Sequence, residues 1–466
     1  MREWLLSFAP VLRPGWERLK NSPLGYRLAK GAFWSLAGTV ISRGLALVSL
    51  VLVARMLGKE GFGQLGVIQN TVGMFGVFAG FGMGLTATKH VAEYCMTDPQ
   101  RAGRIIVFTE LVTLGASLLV LAILACSARF LAQHTLAAPQ LAPLLLLGSL
   151  LLPFGALNGV QTGSLSGLEA FKTIARVNLF SGLLSFPLIV CGAYAGGITG
   201  AVIGLVAAQV ANCVMSHLAL RREAGRFGID FQLAGCARDR RVLWDFSLPA
   251  VIGNSVAWGA NWGCAAILVN QASGYAQMGL VSVGNQWRAA LLLLPALLLN
   301  ATLPMLASEN KNQSGDFGRA LGLAHRVIVL LVVPATLVLM LAANEILNLY
   351  GRGFLDGRAA LVYMLAAAAI SAVSSPAGSA IIATGKMWFS LALNLSNAAL
   401  FLSLTWWLAP SKGAEGLSIA FLAGNFFQAL AGYVYLRPQL PKGMFVRNLA
   451  VMVLICLFAV AILHLW

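Results

Sequence analysis

Apolar runs long enough to cross a lipid bilayer follow one another along almost the whole chain, separated by short polar segments. A membrane-spanning helix needs about 20 predominantly apolar residues, and apolar runs of this length mark such helices in a sequence. We place thirteen spans, at 31–56, 63–87, 104–127, 141–163, 177–195, 198–219, 246–270, 275–303, 324–343, 359–384, 387–409, 414–436 and 447–466. The pattern predicts an all-α polytopic membrane protein, because helices satisfy their own backbone hydrogen bonds in hydrocarbon.

Composition supports this class and excludes others. Of the 466 residues, 59% are hydrophobic and only 10% are charged, and the mean hydropathy is +0.81. Soluble domains carry about 25% charged residues, and disordered chains are far more polar. The composition therefore excludes both a single-core soluble protein and a disordered chain.

The basic residues are distributed as topology signals. If the N-terminus lies in the cytoplasm, 24 of the 32 lysines and arginines fall in seven cytoplasmic segments and only 6 fall in outside loops. Positive residues favour the cytoplasmic side, so we expect a multi-pass protein with a cytoplasmic N-terminus. The net charge of +16 comes from this spread. Because a nucleic-acid site needs one basic face, we exclude nucleic acid as a partner.

The sequence also repeats at about half its length. Gly61–Gly66 (GFGQLG) is answered by Gly274–Gly279 (GYAQMG), and Gly197–Gly200 is answered by Gly413–Gly416 at almost the same offset. Six spans separate the copies, so both have the same orientation and are related by an axis along the membrane normal. We expect two parallel, pseudo-symmetric six-helix lobes, which is an architecture of alternating-access transporters.

These patterns divide the chain into five segments. They are a cytoplasmic amphipathic N-terminal segment (1–30), an N-lobe with spans 1–6 (31–220), a cytoplasmic inter-lobe linker (221–244), a C-lobe with spans 7–12 (245–436) and an additional C-terminal helix (437–466). The seven cysteines are scattered without CxxC spacing. Neither a metal site nor a disulfide framework is therefore indicated.

A set of short motifs in the first two spans resembles a known superfamily. The motifs are Ser42-Arg43, Ala54-Arg55-Met56-Leu57-Gly58, Gly61-Phe62-Gly63, Gly82-Met83-Gly84-Leu85 and Val91-Ala92-Glu93-Tyr94. They resemble the multidrug/oligosaccharidyl-lipid/polysaccharide exporters. Within that superfamily they look most like the Wzx-type flippases of O-antigen and exopolysaccharide pathways, and the resemblance covers the twelve-span core.

The resemblance implies a function in the bacterial inner membrane. A Wzx-type flippase moves an oligosaccharide linked to undecaprenyl diphosphate from the cytoplasmic to the periplasmic leaflet by alternating access. The partners implied are this lipid-linked oligosaccharide, the bilayer, and the polymerase and glycosyltransferases of the same pathway. No cofactor and no catalytic residue is implied, although transport can be coupled to a proton or sodium gradient.

Two arginines lie deep within predicted spans. Arg43 is thirteen residues into the first span and Arg288 is fourteen into the eighth, so each lies about 20 Å from the start of its helix. An arginine at this depth costs ~2.5–3.5 kcal/mol, which favours a role in a cavity. The structural alternative is that each arginine stabilises the lobes by bonding a carboxylate or helix carbonyls. Guanidinium groups bind phosphate oxygens in pairs and keep their charge, so we expect the two arginines to clamp the diphosphate.

Amide and aromatic side chains in the neighbouring spans are candidates for contact with the sugar. They are Gln69, Asn70, Asn254, Trp258, Asn261, Trp262, Asn285 and Gln286. The four on the seventh span share one helix face, but amides in spans also bond neighbouring helices. Glu110 is the only carboxylate well inside a span. It is a candidate for ion coupling, or for neutralising one of the arginines.

Three other functions fit parts of the pattern. A lipid II flippase of the same superfamily has fourteen spans and a second arginine six residues after the first, where this chain has Ser49. A multidrug antiporter exports cations and needs carboxylates in its cavity. A membrane glycosyltransferase or ligase needs large outside loops with carboxylates, and the outside loops of this chain are short.

Overall fold

The computed structural model describes residues 23–231, 248–309, 316–383, 387–437 and 443–465, which are helical apart from short turns. We number the helices in chain order: α1 Pro23–Gly80, α2 Met83–Tyr94, α3 Pro99–Phe130, α4 Ala142–Ser149, α5 Leu151–Gly167, α6 Phe171–Arg226, α7 Leu248–Val269, α8 Gly274–Glu309, α9 Asp316–Leu341, α10 Ala343–Tyr350, α11 Arg358–Ala383, α12 Met387–Leu436 and α13 Met444–Leu465. Short helical turns join α3 to α4 (Leu131–Thr135 and Pro139–Leu141) and α10 to α11 (Arg352–Gly357).

Three of the helices turn sharply at a glycine, and their halves are named α1a and α1b, α6a and α6b, and α12a and α12b. The turns lie at Gly58 (φ 68°), at Gly196–Gly197 (φ 57° at the second residue) and at Gly413 (φ 55°). Glycine adopts a positive φ without the steric cost that other residues meet. The halves of α6 fold back on each other so closely that a Cβ atom on Gly200 would overlap the carbonyl group of Gly192.

The helical segments are consistent with the predicted arrangement of twelve spans plus one. In the described residues, seven helices are long and apolar enough to cross a membrane. An eighth does so if α9 and α10, which meet at 64°, form one span. Three of the seven are the helices that turn at a glycine, so each covers two of the predicted spans. α1b and α2 together occupy the predicted second span, and helical conformation breaks between them at Phe81 and Gly82 (φ 43° and 67°).

The two halves of the chain carry the same turns at the spacing that the repeat predicts. Gly197 has φ 57° and ψ −135°, and Gly413, its counterpart in the repeat, has φ 55° and ψ −126°. The turn at Gly58 (φ 68°) has its counterpart at Ser273 (φ 52°), at nearly the same offset. Equivalent turns therefore recur in the two halves at nearly one offset. The prediction of two parallel, pseudo-symmetric lobes is confirmed.

The predicted segment boundaries stay predictions. Residues 1–22 of the N-terminal segment 1–30 lie outside the described residues, and so does most of the inter-lobe linker 221–244. α6 continues through Arg226, beyond the predicted start of the linker. The additional helix α13 packs beside the C-lobe, where Arg358 at the start of α11 donates a hydrogen bond to the Ile462 carbonyl oxygen at 3.0 Å.

The two lobes meet at one end of the molecule, which we call the closed end. There α1b packs directly on α8. A Cβ atom on Gly63 would overlap the Tyr275 carbonyl oxygen, and one on Gly279 would overlap the Lys59 carbonyl oxygen. The Tyr275 hydroxyl also donates a hydrogen bond to the Leu136 carbonyl oxygen at 2.6 Å. The repeated glycine motifs of the two lobes therefore pack against each other.

Polar contacts between the lobes lie at the same end. The Arg55 guanidinium donates to the carbonyl oxygens of Leu349 and, at 3.3 Å, of Asn348. The Lys59 ammonium lies 3.3 Å from the Asp356 carboxylate. These contacts join the turn between α1a and α1b to the end of α10 and the segment that follows it. Both lobes therefore cover the space between them at the closed end.

Candidate functional site

A cavity of about 630 Å³ lies between the lobes, next to the closed-end contacts. Its walls come from α1 of the N-lobe and from α7, α8 and α12 of the C-lobe. Eight of the predicted cavity residues line it: Arg43, Gln69, Asn70, Trp258, Asn261, Asn285, Gln286 and Arg288. The fold thus gathers side chains from the two halves of the chain, far apart in the sequence.

The two arginines lie at the same depth. The number of residues from Arg43 to Leu57, the last residue of α1a, equals the number from Gly274, the first residue of α8, to Arg288. At ~1.5 Å per residue, each lies about 20 Å from the closed end. Among the described residues that line the cavity there is no carboxylate. The cavity wall therefore carries two positive charges and no acidic group in this part of the chain.

Arg288 is held by neutral groups. Its Nε donates to Asn285 Oδ1 at 3.3 Å, and its guanidinium carbon lies 4.9 Å from the centroid of the Phe421 ring. An aromatic face attracts a cation without neutralising it. Neither Arg288 nor Arg43 forms an ion pair with any residue that the structure describes. Each guanidinium group therefore has N–H donors left for an anion in the cavity.

The amides at the cavity differ in how much of their hydrogen-bonding capacity the protein uses. Gln286 accepts a bond from the Tyr350 hydroxyl at 2.9 Å, and Asn261 donates to a carbonyl oxygen of its own helix at 2.7 Å. No side-chain hydrogen bond joins Gln69 or Asn70 to another described residue. These two amides of α1b are therefore the ones most open to a ligand.

The polar and aromatic stripe predicted on α7 faces the cavity only in part. Trp258 lines the cavity with 43% of its surface exposed, and its ring packs over Gly73 of α1b. Trp262 instead donates from Nε1 to Thr71 Oγ1 at 3.1 Å, which ties α7 to α1b. Asn254 belongs to α7, but its side chain lies outside the described residues. The structure thus places Trp262 at a contact between the lobes, while Trp258 and Asn261 reach the cavity.

Glu110 lies inside the N-lobe rather than among the residues that line the cavity. Its Oε1 is 3.7 Å from Nδ1 of His217 on α6b, a residue that the sequence pattern did not single out. Nearby polar side chains come from α5 and α6b: Asn158 donates to Ser216 Oγ at 2.8 Å. The buried Gln161 Oε1 has no hydrogen-bond partner in the described part of the chain. The interior of the N-lobe therefore holds an acid and an imidazole within a polar surrounding.

Beside the central cavity, a smaller pocket of about 190 Å³ extends into the C-lobe. We call it the amide pocket, because its lining includes the five carboxamides of Asn261, Asn394, Asn397, Asn425 and Gln428. It shares Arg288, Phe401 and Phe421 with the central cavity, so the two spaces adjoin. Sequence analysis missed the four α12 amides. The signal that could have found them is their spacing, since each half of α12 carries two amides three residues apart.

Comparisons with known proteins agree with one another. A sequence profile of the family described as "Polysaccharide biosynthesis protein" matches residues 28–309. The chain is 23% identical over 420 residues to the "EPS I polysaccharide export inner membrane protein EpsE" of Ralstonia nicotianae, covering 85% of this chain and 91% of the relative. It is 22% identical over 422 residues to a "Putative O-antigen transporter" of Shigella flexneri, covering 86% of this chain and 96% of the relative.

A solved structure shares the fold. It is the inward-facing conformation of a multidrug resistance MATE family transporter of the MOP superfamily, which matches with a TM-score of 0.65. The match covers 90% of this chain and 98% of the other, at 15% sequence identity. At this identity the likeness concerns the two-lobed architecture alone.

Proposed function

Because the chain belongs to the polysaccharide biosynthesis protein family, within the multidrug/oligosaccharidyl-lipid/polysaccharide exporter superfamily, we propose that it flips a polyprenyl-diphosphate-linked oligosaccharide. It is a multi-pass inner-membrane transporter and not an enzyme. The substrate is an O-antigen or exopolysaccharide repeat unit on undecaprenyl diphosphate, carried from the cytoplasmic to the periplasmic leaflet. Relatives named for polysaccharide export and O-antigen transport support this substrate class.

The observation that carries the proposal is the charge of the central cavity. Arg43 and Arg288 lie at one depth, and no carboxylate joins them in the described lining. A diphosphate is costly to bring into a low-dielectric layer unless cations meet it. Guanidinium groups offer paired donors that match phosphate oxygens. A multidrug antiporter exports cations, which this cavity would repel, so its charge favours an anionic cargo.

The closed end is the periplasmic side in this proposal. The bias of lysine and arginine favours a cytoplasmic N-terminus, and α1 reaches the closed end at Gly58. The cavity is then covered on the periplasmic side, as expected for a state that receives its substrate from the cytoplasmic leaflet. The sugar and the diphosphate occupy the cavity, and the prenyl chain stays in the lipid.

Glu110 and His217 are the residues to which we assign coupling to a proton gradient. Carboxylates inside spans often carry protons in transporters, and an imidazole can donate or accept a hydrogen bond through its ring nitrogens. Protonation of Glu110 would change its contact with His217, 3.7 Å away, which links α3 to α6b. A sodium ion bound by the carboxylate is the alternative.

The test of the proposed function is complementation of a strain that lacks its own oligosaccharide-lipid flippase. Lipid-linked oligosaccharide is followed on each face of the inner membrane. We expect Arg43→Ala and Arg288→Ala to trap it on the cytoplasmic face at normal protein levels. Losing a charged hydrogen bond costs ~1.5–3 kcal/mol, which is roughly a 10- to 150-fold loss of affinity. Arg129→Ala, at the exposed end of α3, is the matched control and should transport normally.

Other outcomes would weaken the proposal or indicate a different substrate. If both arginine variants export normally, the arginines are structural and the proposal loses its main support. If the wild type does not complement but gives resistance to cationic drugs, the chain is a multidrug antiporter. Rescue of a strain that lacks its lipid II flippase, with no rescue of the first strain, would indicate lipid II as the substrate.

A further inference from the structure

We propose that the amide pocket binds the first sugar of the transported lipid, an uncharged pyranose with hydroxyl or acetamido groups. This inference rests on the proposed function, because it requires a substrate in which a sugar is joined directly to a diphosphate. It specifies how the substrate is oriented between the lobes, since it places the sugar in the C-lobe. It also assigns binding roles to amides of α12.

The walls of the pocket provide both hydrogen-bond donors and acceptors in fixed positions. Asn397 Nδ2 donates to Gln428 Oε1 at 3.1 Å, and Gln428 Nε2 donates to Asn394 Oδ1 at 2.8 Å. This chain of bonds orients three amides across the two halves of α12. Within the described residues, it leaves the Asn394 amide N–H groups without an acceptor. Each sugar hydroxyl group both donates and accepts hydrogen bonds. A carboxamide can accept a hydrogen bond from it through the oxygen and donate one to it through the NH₂ group.

The charge of the pocket selects an uncharged ligand. Arg288 is the one charged side chain among the described residues that line it. A cationic ligand would be repelled, and an anionic sugar would compete with the diphosphate for the same guanidinium group. Phe401 and Phe421 supply apolar surface, with ring centroids 4.4 Å apart at an interplanar angle of 74°. Apolar rings beside placed polar groups are a combination found in small-ligand sites.

The position of Arg288 connects the sugar to the diphosphate. Arg288 lines both the central cavity and the amide pocket. A phosphate bound by this guanidinium group therefore has the pocket on one side and the larger cavity on the other. The pocket volume of about 190 Å³ equals about six water molecules. We infer that it takes one sugar ring, and that further sugars extend into the cavity of about 630 Å³.

The N-lobe has no cation at the position that corresponds to Arg288. By the offset that relates Gly197 to Gly413, Gln428 corresponds to Asn212, which is also an amide, but Arg288 corresponds to Val72. Asn212 donates instead to Asn158 at 3.5 Å, inside the N-lobe. The amides are therefore repeated while the cation is not. This difference favours the C-lobe as the place where a sugar next to a phosphate binds.

The test compares two probes on the full-length protein in nanodiscs by isothermal titration calorimetry. The probes are farnesyl diphosphate and the same molecule with N-acetylglucosamine attached to its terminal phosphate. We expect the wild type to bind the glycosylated probe at least tenfold more tightly, since each added hydrogen bond gives about two- to tenfold. Gln428→Met should reduce this preference by about two- to tenfold or more and leave the affinity for farnesyl diphosphate unchanged. Gln209→Met, at the N-lobe counterpart of Asn425, is the matched control and should keep the full preference.

The outcomes separate this inference from the proposed function. If Gln428→Met keeps the wild-type preference for the glycosylated probe, the amide pocket is not the sugar site, while the proposed function stands. Asn394→Leu is measured in the same way, so that the result does not depend on one variant that fails to fold. If farnesyl diphosphate does not bind the wild type, or binds Arg288→Ala equally well, the proposed function itself fails.

Discussion

The closed end depends on direct contact between helix backbones, so a single methyl group there should open it. A Cβ atom on Gly279 would overlap the Lys59 carbonyl oxygen, and one on Gly63 would overlap the Tyr275 carbonyl oxygen. Because the contacted atoms belong to the backbone, no side-chain rotation can relieve the overlap. The two lobes must move apart at this end to accommodate alanine at either position.

The size of the effect follows from the packing. Extra methyl groups in a well-packed interior cost ~1–3 kcal/mol. Alanine also favours a helix over glycine by about 1 kcal/mol, but this gain is the same in each conformation of the transporter and cancels. The equilibrium between the closed and open forms of this end should therefore shift by ~1–3 kcal/mol toward the open form, which is roughly 5- to 150-fold.

Access to the cavity from each side of the membrane measures this shift. In a variant without the seven native cysteines, Gln69→Cys is labelled with a membrane-impermeant maleimide added from one side at a time. We expect Gly279→Ala to raise the labelling rate from the periplasmic side at least fivefold. Gly115→Ala, where a Cβ atom would meet no other atom within 4 Å, is the matched control. An unchanged rate in Gly279→Ala at wild-type protein yield would refute the reasoning.

Other contacts lead to smaller or different expectations. Lys59→Ala removes an exposed ion pair worth at most ~1 kcal/mol. It should therefore change the labelling rate of Gln69→Cys less than Gly279→Ala does. Because salt screens exposed charges, high salt should abolish the difference in labelling rate between Lys59→Ala and the wild type. Gly413→Ala places alanine in a backbone conformation (φ 55°, ψ −126°) that costs a residue other than glycine ~1–3 kcal/mol. The variant should therefore unfold at a lower temperature in detergent. Gly378→Ala, where a Cβ atom would meet open space, is the control and should not lower the unfolding temperature. Glu110→Gln should abolish transport driven by a pH gradient in vesicles without reducing farnesyl diphosphate binding, and His217→Gln should weaken it. Wild-type transport that follows a sodium gradient and ignores pH would contradict the proton assignment.

The spans and the repeat could be predicted because they depend on local properties of the chain. Apolar length alone marks a membrane helix, and a turn between two spans needs a residue that tolerates positive φ. Gly197 and Gly413 therefore correspond both in the sequence repeat and in backbone conformation. The contact of α1b with α8 is different, because it belongs to one state of a two-lobed transporter. No local pattern specifies which end of the cavity is shut.

The central cavity was predictable where a residue was exceptional for its surroundings. An arginine within an apolar span is rare enough to indicate a cavity, and both arginines line one. The α12 amides were missed because single amides in spans are commonly bonds between helices. Asn394 and Gln428 meet only because α12 folds back at Gly413. Trp262 shares a helix face with Trp258 but donates to Thr71, since a helix face is wider than the cavity that it borders.

The neutral amide residues of the cavity follow the pseudo-symmetry of the two lobes, but the two arginines do not. Gln69–Asn70 and Asn285–Gln286 are related by the same offset as Gly197 and Gly413, and both pairs line the cavity. Arg43 and Arg288 are not related in this way, because their counterparts in the repeat are glycine and valine. The amides of the cavity are thus related by the two-fold axis, and the cations are not. Such a cavity suits a ligand that has one charged part and one neutral polar part. The proposed lipid-linked oligosaccharide has this asymmetry, and Arg288, which borders the amide pocket, is the residue that would fix which lobe receives the sugar.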